Sequence, residues 1–186
     1  MKKLVICLFI GLMAWSSQAQ RFDTGWYFSA GFNAVGNLGT RNPVENLGDF
    51  AFRTPFAVAF ENKWSREFAI EQDLSFNGFK KGVAIDNGTP DKTLTYFSTN
   101  TNFKWYFTDY IFPEEDWLDV YVGAGVGLFT IDELNTSGNI SVGAAYWFSE
   151  YFGVRLQTTA KFAVNAKNRE FDNNHWQHFV QAVFRL

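Results

Sequence analysis

DVYVGAGVGLF, residues 119–129, has two side-chain faces that could hardly differ more. One, carried back to Leu118, is wholly apolar: Leu118, Val120, Val122, Ala124, Val126 and Leu128. The other holds Asp119, Tyr121, Gly123, Gly125, Gly127 and Phe129. Alternation at period two predicts a β-strand rather than a helix. Glycine weakens a strand by offering nothing to pack, so three at period two point to a curved, tightly closed sheet whose inner face has no room for bulk. A flat sandwich strand is the alternative, and the flanking segments argue against it.

Working outward, seven more segments alternate in the same way. Residues 25–35 set Trp26, Phe28, Ala30, Phe32 and Ala34 against Tyr27, Ser29, Gly31 and Asn33. A shorter segment sets Phe56, Val58 and Phe60 against Ala57, Ala59 and Glu61, with Pro55 near its start, where a missing donor is tolerable. Residues 68–77 set Phe68, Ile70, Leu74 and Phe76 against Glu71, Asp73, Ser75 and Asn77, with Gln72 interrupting the apolar face. Residues 94–107 oppose Phe97, Phe103, Trp105 and Phe107 to Tyr96, Ser98, Asn100, Asn102 and Lys104. After the opening strand come Ile140, Val142, Ala144, Tyr146 and Phe148, with Gly143 on the opposite parity. The seventh opposes Phe152, Val154, Leu156 and Phe162 to Arg155, Gln157, Thr159 and Lys161, and the eighth runs to the C-terminus through Trp176, Val180, Ala182, Phe184 and Leu186.

The polar faces collect Glu71, Asp73, Lys104, Asp119, Arg155, Lys161 and Arg185, a nearly balanced set of charges. A charge facing lipid near the bilayer midplane costs about 2–4 kcal/mol, whereas opposite charges inside a small barrel can pair. The expectation is therefore an all-β, eight-stranded antiparallel up-and-down transmembrane barrel with its apolar faces outward. A soluble barrel with the faces reversed is the competing arrangement, but its interior could not hold this many aromatics. Parity further predicts that Arg155 pairs with Glu71 and that Lys104 is held by Glu71 or Asp73. Long connections after the first, third and seventh strands alternate with mostly short ones, as external loops alternate with periplasmic turns. Trp64, Trp105, Trp117, Trp147 and Tyr151 fall near turn ends, where an interfacial girdle is expected.

Composition agrees with this arrangement. Hydrophobic residues make up 47% of the 186, 22 of them Phe, yet mean hydropathy is slightly negative. Beyond the N-terminus no run approaches the roughly 18 apolar residues of a spanning helix, so a membrane span must be built from strands. At the N-terminus, Lys2 and Lys3, an apolar run over residues 4–13 and Ser17-Gln18-Ala19 predict an export signal over residues 1–19, cleaved before Gln20. The barrel domain is then residues 20–186. Cys7, the one cysteine, leaves with the signal, so no disulfide is expected. Losing the two lysines takes the net charge from −3 to −5, which argues against nucleic acid as a partner.

The ordered set YVGAGVGL (121–128), NFKWYF (102–107) and a final strand of alternating apolar residues resembles the OmpA-like eight-stranded outer-membrane β-barrels of Gram-negative bacteria, over essentially all of residues 20–186. The resemblance departs at two points. The chain ends on Leu186 rather than on the usual aromatic, which makes Phe184 and Leu186 the expected assembly signal, and no peptidoglycan-binding domain follows, which removes any argument for a cell-wall anchor. It implies a structural or surface-interaction role through external loops toward an unknown extracellular partner, besides contact with outer-membrane lipid and the assembly machinery, and no cofactor.

Little in the sequence points to catalysis. His175 and His178 have no serine or metal-ligand spacing beside them, so a lipid-modifying enzyme is not expected; His175 is expected in a loop and His178 at an interface. DNGTPD, residues 86–91, has calcium-like oxygens without the spacing of an EF-hand loop and is expected to be a plain turn. The rival function is a binding or transport barrel in which Gly123, Gly125, Gly127 and Gly143 leave a cavity for a small apolar ligand.

Overall fold

The computed structural model describes residues 24–37, 43, 50–83, 89–113, 115–164, 171 and 173–186. The export segment expected over residues 1–19 and the first half of the DNGTPD turn, residues 86–88, lie outside them. Eight strands follow one another: β1 (Gly25–Asn37), β2 (Phe56–Lys63), β3 (Phe68–Phe79), β4 (Leu94–Tyr106), β5 (Leu118–Thr130), β6 (Leu134–Trp147), β7 (Phe152–Ala163) and β8 (His175–Arg185). Each pairs antiparallel with its sequence neighbours, and β1 pairs with β8 to close the barrel.

Burial alternates along the strands as the sequence dictates. In β5, Asp119, Tyr121, Gly123, Gly127 and Phe129 are buried, while Val122, Val126 and Leu128 are exposed. The outer wall is consequently apolar: Phe32, Phe60, Ile70, Phe103, Val126, Ile140, Leu156 and Val180 are all more than two-fifths exposed. A soluble core would hide these groups, so the faces point the way the cost of stranded charge requires.

Register fixes the shape. The line of paired residues leaving β1 at Trp26 passes Asn62, Ile70, Phe103, Ala124, Ile140, Ala160 and Trp176 and returns to β1 at Gly36. That stagger of ten residues over eight strands demands strongly tilted strands, roughly 35–45° to the barrel axis, and an interior just wide enough for side chains to fill.

Both barrel ends of the chain lie at one rim, where Leu186 N–H donates to Trp26 O at 2.9 Å. The connections at this rim are residues 64–67, 107–117 and 148–151, and β1–β2, β3–β4, β5–β6 and β7–β8 are joined at the other through 38–55, 80–93, 131–133 and 164–174; the alternation of long and short is thus broken by 107–117, as long as 164–174, and by the short 131–133. Two elements differ from expectation. The 107–117 connection contains a helical turn, α1 (Thr108–Ile111), too short to leave a periodicity in the sequence. β6 begins at Leu134 rather than near Ile140, because Asn135, Ser137 and Asn139 are inward polar groups paired in the ladder. Gln72, which interrupts the outer face of β3, is satisfied there: its amide donates to Thr99 Oγ1 at 2.7 Å and its carbonyl accepts from Thr101 Oγ1 at 2.6 Å.

Candidate functional site: a filled lumen

Inside the barrel the side chains form layers. Near the rim that holds the termini, Lys63 Nζ lies 3.7 Å from Asp119 Oδ1 and 4.1 Å over the Tyr106 ring, and Trp147 Nε1 donates to Asp119 Oδ2 at 2.9 Å. A cavity of about 10 Å³ between these groups and Arg155 is no larger than one water requires.

The next layer is a four-membered ionic cluster. Lys104 Nζ contacts Glu71 Oε2 at 2.6 Å and Glu61 Oε2 at 2.8 Å; Arg155 Nη1 contacts the same oxygens at 2.6 and 3.2 Å. Tyr106 donates to Glu61 Oε1 at 2.5 Å, and Gln181 Oε1 accepts from Arg155 Nε and Nη2. All four charged side chains are at most 4% exposed. Two carboxylates against two cations keep the cluster neutral, which is the condition for leaving charges in a dry interior.

Above it the linkage is indirect. Asp73 accepts from Asn100 Nδ2 at 2.7 Å and Asn102 Nδ2 at 3.1 Å. Lys161 donates to Asn100 Oδ1 at 2.7 Å and to Ser98. Asn100 thus turns its donor to the carboxylate and its acceptor to the ammonium. Higher still, Tyr96 OH meets His175 Nε2 at 2.8 Å, and Gln177 donates to Ser75 at 2.7 Å. An apolar layer of Val35, Ala51, Phe79, Leu94, Tyr96, Phe129 and Ile131 closes the far mouth. Ala51 reaches it by bridging to Val35, and Asn77 Nδ2 holds it through a bond to Ala51 O at 2.9 Å.

No protein-family model and no curated protein matches the sequence. Solved structures do. OprG from Pseudomonas aeruginosa superposes with a TM-score of 0.63 at 11% identity, over 91% of this chain and 99% of that one. Neisserial surface protein A gives 0.57 at 9% identity over 89% and 100%, and the N-terminal barrel of P. aeruginosa OprF gives 0.53 at 12% over 88% and 99%. The fold is that of the eight-stranded outer-membrane β-barrels. In outer-membrane barrels the short turns are periplasmic and the long loops external.

Within this outer-membrane barrel fold the residues singled out from the sequence sort as follows. Glu71, Lys104 and Arg155 meet in one cluster, while Asp73 and Lys161 form the layer above and reach each other through Asn100 rather than through Lys104. Asp119 belongs to the rim layer with Lys63. Arg185 lies at the rim, partly exposed, and donates to Thr24 O at 3.3 Å. Sequence reasoning set Glu61 on the inward face with Ala57 and Ala59 but left it out of the charge set, and it missed Lys63, which carrying the alternation to the end of β2 finds.

The space beside the inward glycines is occupied. A Cβ on Gly123 would stand 2.5 Å from Ser141 Oγ, on Gly125 2.2 Å from Thr101 O, on Gly127 2.0 Å from Asn100 Oδ1 and on Gly143 2.4 Å from the Tyr121 ring. These glycines admit neighbouring side chains rather than a ligand. The large apolar concavity, about 580 Å³, is on the outer wall instead, against Ile111, Phe112, Val120, Val142, Leu156 and Val180.

Two aromatic placements need correcting. Trp147 is buried in the lumen, not in a girdle, because its odd position in β6 points inward; Trp64, Trp105, Trp117 and Tyr151 are exposed near the rim that holds the termini. His175 is the first residue of β8 and buried, not a loop residue, packed edge-on against Phe129 and Tyr96. His178 faces outward on β8, bonded to Thr158 Oγ1 and Pro43 O and stacked on Phe50.

Proposed function

We propose that this chain is an exported outer-membrane barrel with a sealed lumen, serving a structural or surface-interaction role through its external loops. The observation that carries this reading is the continuous filling of the interior, from Trp147 and Lys63 at one rim, through the Glu61–Glu71–Lys104–Arg155 cluster, to the apolar layer at the other. Among the described residues such an interior leaves no open aqueous path and no lumenal pocket for a substrate, which supports a barrel that does not conduct and that recognises its partners from outside. Its lipid contacts are the apolar wall; its partner in folding is the outer-membrane assembly machinery, which receives the final strand ending Phe184–Arg185–Leu186.

Reconstitution into planar bilayers and solute-loaded vesicles tests the reading. The protein is expected to insert, to show a heat-modifiable gel shift and to pass neither ions nor small solutes. Sustained conductance by the unaltered protein would overturn the sealed lumen, and recovery as a soluble periplasmic protein would overturn the membrane location.

A further inference from the structure

On the outer wall, at the end of β2 and β3 away from the termini, aromatic rings and cations are stacked in a definite order. Phe56 pairs with Phe76 and Phe76 with Phe97, the last two rings 5.1 Å apart, so aromatics, Phe56 and Phe76 exposed and Phe97 half-buried, span three adjacent strands at one level. Phe52 is exposed beside them in sequence. The next outward position after Phe76 on β3 is Gly78. A Cβ there would stand 3.5 Å from both Cβ and Cδ of Arg53, so the bare backbone gives the Arg53 stem a seat across β3. The seat is fixed, because Arg53 N–H donates to Asn77 Oδ1 at 3.1 Å.

Lys80 directly follows β3, which ends at Phe79. Lys81 occupies the tip of a tight turn closed by Val83 N–H to Lys80 O at 3.3 Å, with Gly82 at φ 81°, a conformation that glycine adopts without strain. Arg53, Lys80 and Lys81 are all exposed, and among the described residues none of them forms an ion pair. Other exposed cations do: Arg66 with Asp109 at 2.6 Å and Lys92 with Asp132 at 3.1 Å. Asp91 is held near the turn by Gly82 N–H to Pro90 O and pairs with none of the three.

We propose that Arg53, Lys80 and Lys81 dock the phosphate group of an outer-leaflet membrane lipid, whose acyl chains lie along Phe56, Phe76 and Phe97. The inference rests on the membrane location proposed above. A guanidinium binds a phosphate through two parallel N–H bonds and an ammonium adds a point charge, so three cations without an ion-pair partner among the described residues suit a phosphomonoester. The vertical order selects the source. Apolar rings below and cations above, on the lipid-facing wall, match acyl chain below headgroup; a soluble polyanion needs no aromatic shelf.

The test uses the mature barrel refolded into phosphatidylcholine vesicles containing phosphatidic acid as the phosphomonoester lipid. Co-flotation and the gel shift report insertion, and native mass spectrometry of extracted protein reports retained lipid. Each cation near a membrane surface contributes about fivefold to binding an anionic lipid, so Arg53→Gln, Lys80→Gln and Lys81→Gln together should lower retention by about 10²-fold with insertion unchanged. Lys92→Gln, whose cation is already paired, should lower it little. Equal retention by the triple variant and the parent overturns the proposal. So does inorganic polyphosphate binding that depends on the three cations while lipid retention does not, which would assign the corner to a soluble anion. Parent protein that never floats with vesicles overturns the membrane reading instead, and co-flotation reports that separately from retention.

Discussion

Arg155→Ala removes one of two cations from a cluster in which Glu61 and Glu71 each touch both. Lys104 alone then serves two carboxylates, the layer carries a net negative charge, and Gln181 loses both of its donors from Arg155. Breaking a buried pair from one side costs about 3–5 kcal/mol because the remaining charge is uncompensated, and Glu71→Ala should cost a similar amount by leaving two cations on Glu61. The double variant leaves Lys104 with Glu61 at 2.8 Å, a neutral pair still supported by the Tyr106 hydroxyl. Its cost should fall short of the sum of the single costs by about 2–3 kcal/mol, at the upper end of measured pair couplings. Urea unfolding in lipid vesicles, followed by tryptophan fluorescence and by the fraction of protein that keeps its heat-modifiable migration, supplies all three values. Costs that add to within about 0.5 kcal/mol would mean that the two residues do not meet, and the cluster as described would be wrong.

Conductance of Arg155→Ala should match that of the parent, because the apolar layer from Val35 to Ile131 still closes the far mouth; raised conductance would make the ionic cluster itself the seal. Gly125→Ala, whose Cβ would meet Thr101 O at 2.2 Å, should destabilise by about 1–3 kcal/mol or more, whereas Gly138→Ala, with nothing within 4 Å, should be neutral, as the folded fraction on gels will show. Deleting residues 184–186 removes the Phe184 pairings to Phe28 and Phe152 and the Leu186–Trp26 bond, and should abolish insertion; a persisting gel shift would show that closure does not need them. N-terminal sequencing of the membrane fraction should begin at Gln20.

The strands and their faces were legible because a half-buried sheet repeats at period two, and β5 shows it without exception. Which charges meet was legible only in part. Parity says that Arg155 and Glu71 point inward, but their contact depends on the ten-residue stagger that brings β7 and β3 to the same height, and no local signal carries a stagger. Asp73 shares a face with Glu71, yet two positions further along β3 it stands a layer higher, where asparagines rather than Lys104 reach it. Lys63 was hidden by the short β2, whose alternation is easily cut before its end, while Glu61 was legible by parity but not as a partner of Lys104 and Arg155, which again depends on the stagger. Trp147 shows the converse, an aromatic near a turn whose parity outweighs its position. The helical turn α1 and the return of Ala51 into the mouth are set by tertiary contacts and leave no periodic trace.

The orientation of the wall is open to direct measurement with single cysteines carrying a fluorophore, placed outward at Ile70, Val126, Ile140 and Val180 and inward at Ser98 and Ser137, in vesicles with brominated acyl chains. A lipid-spanning barrel requires strong quenching at the four outward positions, no reaction there with a water-soluble maleimide once inserted, and no quenching at the two inward ones. Outward positions that react freely with the water-soluble reagent and escape quenching would mean that the apolar wall does not face lipid.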